Sequence, residues 1–153
     1  LDGDGRVTEG AGQNLFLVEG GVITTPPASS AILRGITRDS VITLAADLGV
    51  EVREAPISRE GLYLADEVFM TGTASEITPV RSIDRLPVRA EAPGEVTRAL
   101  QDAFFAITSG RAADRRGWLT PVAGAPADAE RPHTDPQSTS TPDDRPRAER
   151  TAR

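Results

Sequence analysis

Three short stretches carry residues whose types and spacing suit binding chemistry. In "TEGAGQNLF" (residues 8–16) the carboxylate of Glu9 stands among small residues just before an apolar run. Glycine withholds side-chain bulk, so a partner can approach Glu9 closely. In "LRGITR" (residues 33–38) Gly35 and Thr37 open the best helical segment of the chain. The free N–H groups and dipole of a helix N-terminus favour an anion, and Thr37 adds a hydroxyl. In "TGTA" (residues 71–74) a strand ends in small and hydroxyl residues, a sequence that can fold into an anion-binding nest. Taken singly, each has an ordinary explanation: an exposed turn carboxylate, a helix cap, a turn after a strand. Together they ask for a ligand with a phosphate at one end and a protonated nitrogen at the other. Pyridoxal phosphate has that shape, because its ring nitrogen must hold a proton to draw electrons.

The elements that must position these stretches alternate along the chain. Turn chemistry at residues 2–5 precedes two β-rich runs, 14–18 and 22–24, joined at Glu19-Gly20-Gly21 and ended by Pro26-Pro27. The spacing of Val41, Leu44, Ala45 and Leu48 predicts a helix over 36–48 with those four on its apolar face, closed by Gly49. A strand is expected at 50–52, then a short helix capped by Ser58 and running through Leu62 and Ala65. Further strands are expected at 67–70, 77–80 and 86–88. A helix over 95–109 turns Val96, Leu100, Phe104 and Ile107 inward and stops at Gly110. The sum is a mixed α/β fold over residues 1–122. Residues 123–153 hold no Val, Ile, Leu, Met, Phe, Tyr or Trp, only prolines among mixed charges and small polar residues. Such a tail buries too little surface to offset its ordering entropy and is expected to be disordered.

Composition excludes several classes. A length of 153 residues suits one domain or part of one, and a start at Leu1 suggests processing or a fragment. The net charge of −6 argues against nucleic acid, whose binders carry basic stripes. Without cysteine there is no disulfide framework, zinc–thiolate centre or thiol nucleophile. The single histidine, His133, lies in the tail and reads as solvated, so no metal site is expected. No apolar run approaches the ~18 residues of a membrane span, and no leader pattern is visible. All 17 basic residues are arginine. Codon bias accounts for most of this, but it leaves no ε-amine that could attach a carbonyl compound.

The residues also resemble a known family. Glu9, Asn14-Leu15-Phe16, Ile23-x-Thr25 and Leu33-x-Gly35-Ile36-x-Arg38 follow the class IV aminotransferase signature in order and spacing. "GITRDSVITLAADLGVEV", "SREGLYLADEVFMTGTASEITPV" and "QDAFFAITSGRAADRRGWL" are similar to branched-chain amino-acid aminotransferases in particular. The resemblance covers residues 1–122. It implies the C-terminal part of the larger, cofactor-binding domain of the fold-type IV (D-amino-acid aminotransferase-like) enzymes, with pyridoxal 5'-phosphate as cofactor. By resemblance, Glu9 faces the ring nitrogen, Leu33 packs on the ring, Gly35 belongs to the cofactor-binding set, and Ile36, Thr37 and Thr73 hold the phosphate. Gly72, Thr73 and Ala74 receive the substrate carboxylate. No catalytic residue is expected within this chain, since the family's lysine and a phosphate-binding arginine lie upstream.

What the resemblance implies for the whole enzyme is a cytoplasmic homo-oligomer acting on amino acids and 2-oxo acids, without nucleic acid, membrane or metal. Arg34 replaces a common proline, Gln13 a glutamate and Ser75 an alanine, and "SIDRLPVRAEAPG" departs from a glycine-rich segment. Two other readings are a D-amino-acid aminotransferase or aminodeoxychorismate lyase of the same fold, and a non-catalytic remnant that binds a phosphate ligand. "GTASEITPV" and the 104–119 region argue against the first. Three retained cofactor contacts argue against the second.

Overall fold

The run at residues 14–18 lacks polar alternation because its strand is covered on both faces. Among strands β1 (Glu9–Gly10), β2 (Gln13–Glu19) and β3 (Val22–Thr25), β2 is the longest. Its Phe16 and Val18 enter one apolar cluster, and its Leu15 and Leu17 enter another on the opposite face. A strand buried on both sides reads as a continuous apolar run. The computed structural model describes residues 1–120 and Val122. The expected disorder of 123–153 lies outside the described residues.

After β3 come helix α1 (Ile36–Asp47), β4 (Val52–Glu54), α2 (Arg59–Leu64), β5 (Glu67–Gly72) and β6 (Glu76–Pro79). A small hairpin, β7 (Ser82–Ile83) and β8 (Leu86–Pro87), and helix α3 (Glu95–Thr108) follow. The main sheet runs β4-β3-β2-β5-β6, with β1 paired to the start of β2. Among the described strands only β3 and β4 are parallel, and α1 is the crossover that such a pair needs. The turn between β2 and β3 uses Gly20 and Gly21, both at positive φ, as a two-residue hairpin with right-handed strand twist requires.

One face carries α1 and α3, whose Val41, Leu44, Ala45 and Leu100 meet Phe16, Val18, Ile23, Phe69 and Ile77. Phe16 and Phe69 are register partners whose rings stack 4.8 Å apart. Burying each such side chain contributes about 1.5–3 kcal/mol. The other face is a smaller cluster of Val7, Leu15, Leu17, Ile57, Ala65 and Val68.

The structure corrects two expectations at the end of α1. Leu48 is 45% exposed rather than part of the apolar face, because it is the C-cap and leaves the helical stripe. The strand expected at 50–52 begins only at Val52. Val50 N–H instead bonds the Ala45 carbonyl at 2.8 Å and Gly49 N–H, at φ +72°, bonds Ala46 at 3.1 Å. These paired bonds close the helix as a Schellman motif and draw Val50 out of the ladder. Ser58 caps α2 as expected, accepting the Gly61 N–H at 3.0 Å.

Candidate functional site

Glu9 sits in β1, which is only long enough to pair Glu9 with Asn14 and Gly10 with Gln13. Its Oε2 accepts the Leu33 N–H at 3.0 Å and the Asn14 amide Nδ2 at 3.3 Å. Asn14 Nδ2 also donates to the Leu33 carbonyl at 2.8 Å. The carboxylate is therefore held through one oxygen, and among the described residues Oε1 accepts no hydrogen bond.

The second stretch follows directly. Gly35 is the N-cap of α1 and no side chain caps the helix there. The N–H groups of Ile36, Thr37 and Arg38 in its first turn have no intrahelical acceptor. Thr37 is buried, whereas Leu33 and Ile36 are each 73% exposed. A Cβ on Gly35 would collide with Asn14 Oδ1, so glycine is what lets the helix entry lie against β2. Arg38 is buried at the same helix end. Its Nη2 donates to the Pro26 carbonyl at 3.1 Å and to Glu54 Oε2 at 2.8 Å, tying α1 to the ends of β3 and β4.

The third stretch reaches the others across the sheet. Asn14 pairs with Thr71, so the end of β5 delivers Gly72 beside the Glu9 turn. A Cβ on Gly72 would lie 2.8 Å from both the Gly12 carbonyl and Ser75 Oγ. Thr73 and Ala74 are exposed beyond it. Two hydroxyls here, Thr71 Oγ1 and Ser75 Oγ, are buried without a protein partner.

The structure thus brings Glu9, Leu33, Gly35 and Gly72 together around Asn14, while no hydrogen bond among the described residues joins Thr73 to Thr37. A cleft of about 920 Å³ opens at the start of α1 between Arg34–Ser40 and Phe104, Ile107 and Trp118. Glu9, Gly72 and Thr73 do not line it, so the cleft shares only the helix end with the candidate site. Two residues of the site, Asn14 and Arg38, stand in the family signature, but sequence reasoning assigned them no role. The signal for Asn14 was available: asparagine is depleted from strands, and a polar amide inside an apolar run needs a reason.

Residues 1–83 match the family described as amino-transferase class IV, more than half of the chain. The chain belongs to the class IV aminotransferase family. The branched-chain-amino-acid aminotransferase of Salmonella typhimurium is 57% identical over 122 residues, 80% of this chain and 40% of that protein. The crystal structure of the Escherichia coli branched-chain amino acid aminotransferase superposes with a TM-score of 0.76 at 56% identity, over 79% of this chain and 41% of that one. The enzyme of Thermobaculum terrenum, solved in its PLP form, gives a TM-score of 0.76 at 48% identity, over 79% and 40%. The chain therefore spans about 40% of the length of the relatives it matches. The mixed α/β architecture expected from the aminotransferase resemblance is the one observed. Among the described residues no cluster of His, Cys, Asp or Glu could hold a metal, and no helix is long and apolar enough to cross a membrane.

Proposed function

We propose that residues 1–122 form the C-terminal part of the cofactor-binding domain of a cytoplasmic branched-chain amino-acid aminotransferase. The whole enzyme would move an amino group between leucine, isoleucine or valine and 2-oxoglutarate, as a homo-oligomer. The observation that carries this reading is the grouping of a carboxylate, an uncapped helix start and a glycine turn around one strand residue, Asn14.

Pyridoxal 5'-phosphate fits this grouping. The helix start lacks an internal cap, Glu9 keeps one oxygen uncommitted, and the Thr71 and Ser75 hydroxyls are buried without a protein partner. When bound, the cofactor supplies an electron sink for the bonds at a substrate's α-carbon. Glu9 would hold the proton on the ring nitrogen through a charge-assisted hydrogen bond. The Ile36 and Thr37 N–H groups and the Thr37 and Thr73 hydroxyls would bind the phosphate. The exposed side chain of Leu33 would cover the ring face. Gly72, Thr73 and Ala74 would orient the substrate carboxylate. Because the chain has no lysine, none of its side chains can attach the cofactor or carry the proton that a lysine carries.

The test compares the chain alone with the chain joined to the part of the Escherichia coli relative that lies upstream of the matched segment. Each is given pyridoxal phosphate, leucine and 2-oxoglutarate. The joined protein should transaminate and the chain alone should not exceed free cofactor. A joined, folded protein that binds no pyridoxal phosphate would overturn the reading.

A further inference from the structure

Asn14 is 5% exposed in the central strand, and both hydrogens of its amide are engaged. Nδ2 donates both hydrogens, to the Leu33 carbonyl at 2.8 Å and to Glu9 Oε2 at 3.3 Å. The same carboxylate oxygen takes the Leu33 N–H at 3.0 Å, closing a loop of Glu9, Asn14 and Leu33. Oδ1 lies where a Cβ of Gly35 would stand. Along the ladder Asn14 faces Glu9 on one side and, on the other, Thr71, the residue just before Gly72. One buried side chain therefore touches both the turn that carries the carboxylate and the loop that enters α1.

We infer that Asn14 is a positioning residue that sets the carboxylate and the helix-entry loop as one unit. The inference rests on the proposed function for its chemistry, in which the carboxylate serves the ring nitrogen and the loop serves the phosphate. The spacing between the two ends of the cofactor is then fixed by an amide on a rigid strand rather than by two separate loops. The position requires a double donor, because both of its partners, a carboxylate and a carbonyl, only accept. Aspartate has the same shape but sets acceptor against acceptor at both contacts.

The experiment places Asn14→Asp and Asn14→Ala in the joined full-length protein. Gln101→Ala is the control, since Gln101 makes a comparable bond to the Ile77 carbonyl at 2.9 Å away from the site. Amide hydrogen exchange is read without cofactor at residues 9–14 and at Leu33 and Gly35. Pyridoxal phosphate affinity and the nitrogen NMR signal of its ring are read separately. Both Asn14 variants should speed exchange in the two segments together and weaken cofactor binding by about tenfold, the scale of a lost hydrogen bond to a charged group. The ring signal should move toward the unprotonated form in Asn14→Asp. Gln101→Ala should lower the melting temperature and leave the other readouts alone. Faster exchange in only one segment, or unchanged affinity and ring signal in Asn14→Asp, would overturn the inference. If the parent protein binds no pyridoxal phosphate, the proposed function fails instead, and the exchange pattern alone decides whether Asn14 couples the two segments.

Discussion

Both long helices start at a glycine, Gly35 for α1 and Gly94 for α3, and neither glycine contributes a capping side chain. In each case a Cβ on the glycine would strike a side chain from the central strands: Asn14 of β2 at α1, Glu67 of β5 at α3. The difference is the group that the strand offers. Glu67 is buried and accepts Val96 N–H at 2.9 Å, Thr97 N–H at 2.9 Å and the Thr97 hydroxyl at 2.6 Å. Its negative charge answers both the orphan donors and the dipole of α3. Asn14 gives its amide to Leu33 and Glu9 instead, so the first turn of α1 keeps its donors without a side-chain acceptor. The same local physics closes one helix end with a buried carboxylate and leaves the other without a protein cap, the end that the proposed function assigns to the phosphate.

The largest effect should come from opening the closed end. Glu67→Ala in the joined full-length protein strands three donors, two of them buried, and should cost about 3 kcal/mol. Urea unfolding would show it as a lower midpoint at constant m-value, with cofactor affinity of the folded protein unchanged. An unmoved midpoint would break the contrast between the helices.

Next in size is the charge at the open end. Glu9→Gln removes a charge-assisted hydrogen bond of roughly 1.5–3 kcal/mol, so kcat should fall by at least about tenfold with the fold retained. Thr37→Ala should weaken cofactor retention while kcat at saturating cofactor holds. The reverse pattern would swap the two ends of the ligand.

The paired glycines sharpen the contrast further. Gly35→Ala pushes on Asn14 and should lower pyridoxal phosphate affinity by about tenfold, on the scale of one displaced polar contact. Gly94→Ala pushes on Glu67 and should lower the melting temperature with affinity unchanged. Equal effects of the two substitutions on affinity would mean that the helix ends are not specialised.

The smallest effect concerns a carboxylate that captures a backbone N–H at the surface. Asp66 accepts the Gly20 N–H at 2.8 Å, which holds its acid form below the ordinary carboxylate range, with Arg89 at 2.9 Å adding to it. A depressed native pKa adds stability above the unfolded value of about 3.9, and that stability is lost as pH falls through the native value. Asp66→Asn should therefore destabilise slightly at neutral pH, with the gap to the parent protein closing in acid. A gap that widened toward low pH would contradict the assigned sign.

Much of the fold was legible from local rules. The stripe of Val41, Leu44 and Ala45, the Ser58 cap and the Gly20-Gly21 turn each depend on neighbours a few residues away. Leu48 was misplaced because periodicity continues through a residue that the Schellman closure removes from the helix. The candidate site was legible as three separate stretches, since glycine, hydroxyl and carboxylate residues mark themselves by type. Asn14 was named in the family signature without a role, because its role depends on Leu33, 19 positions along the chain. Arg38 reads as an ordinary helical cation until β3 and β4 bring Pro26 and Glu54 to it.

The sequence by itself determined the apolar run that becomes β2, the helices and their glycine stops, the lack of any lysine, and the residue types available to meet a phosphate and a ring nitrogen. Tertiary structure alone decided which helix start is filled and which stays open. That choice rests on strand register, which sets Thr71 of β5 opposite Asn14, and on which strand side chain, Asn14 or Glu67, lies against each helix start. Register is a cooperative property of the sheet, and no local rule of composition or spacing reports which strand side chain will meet a given helix start.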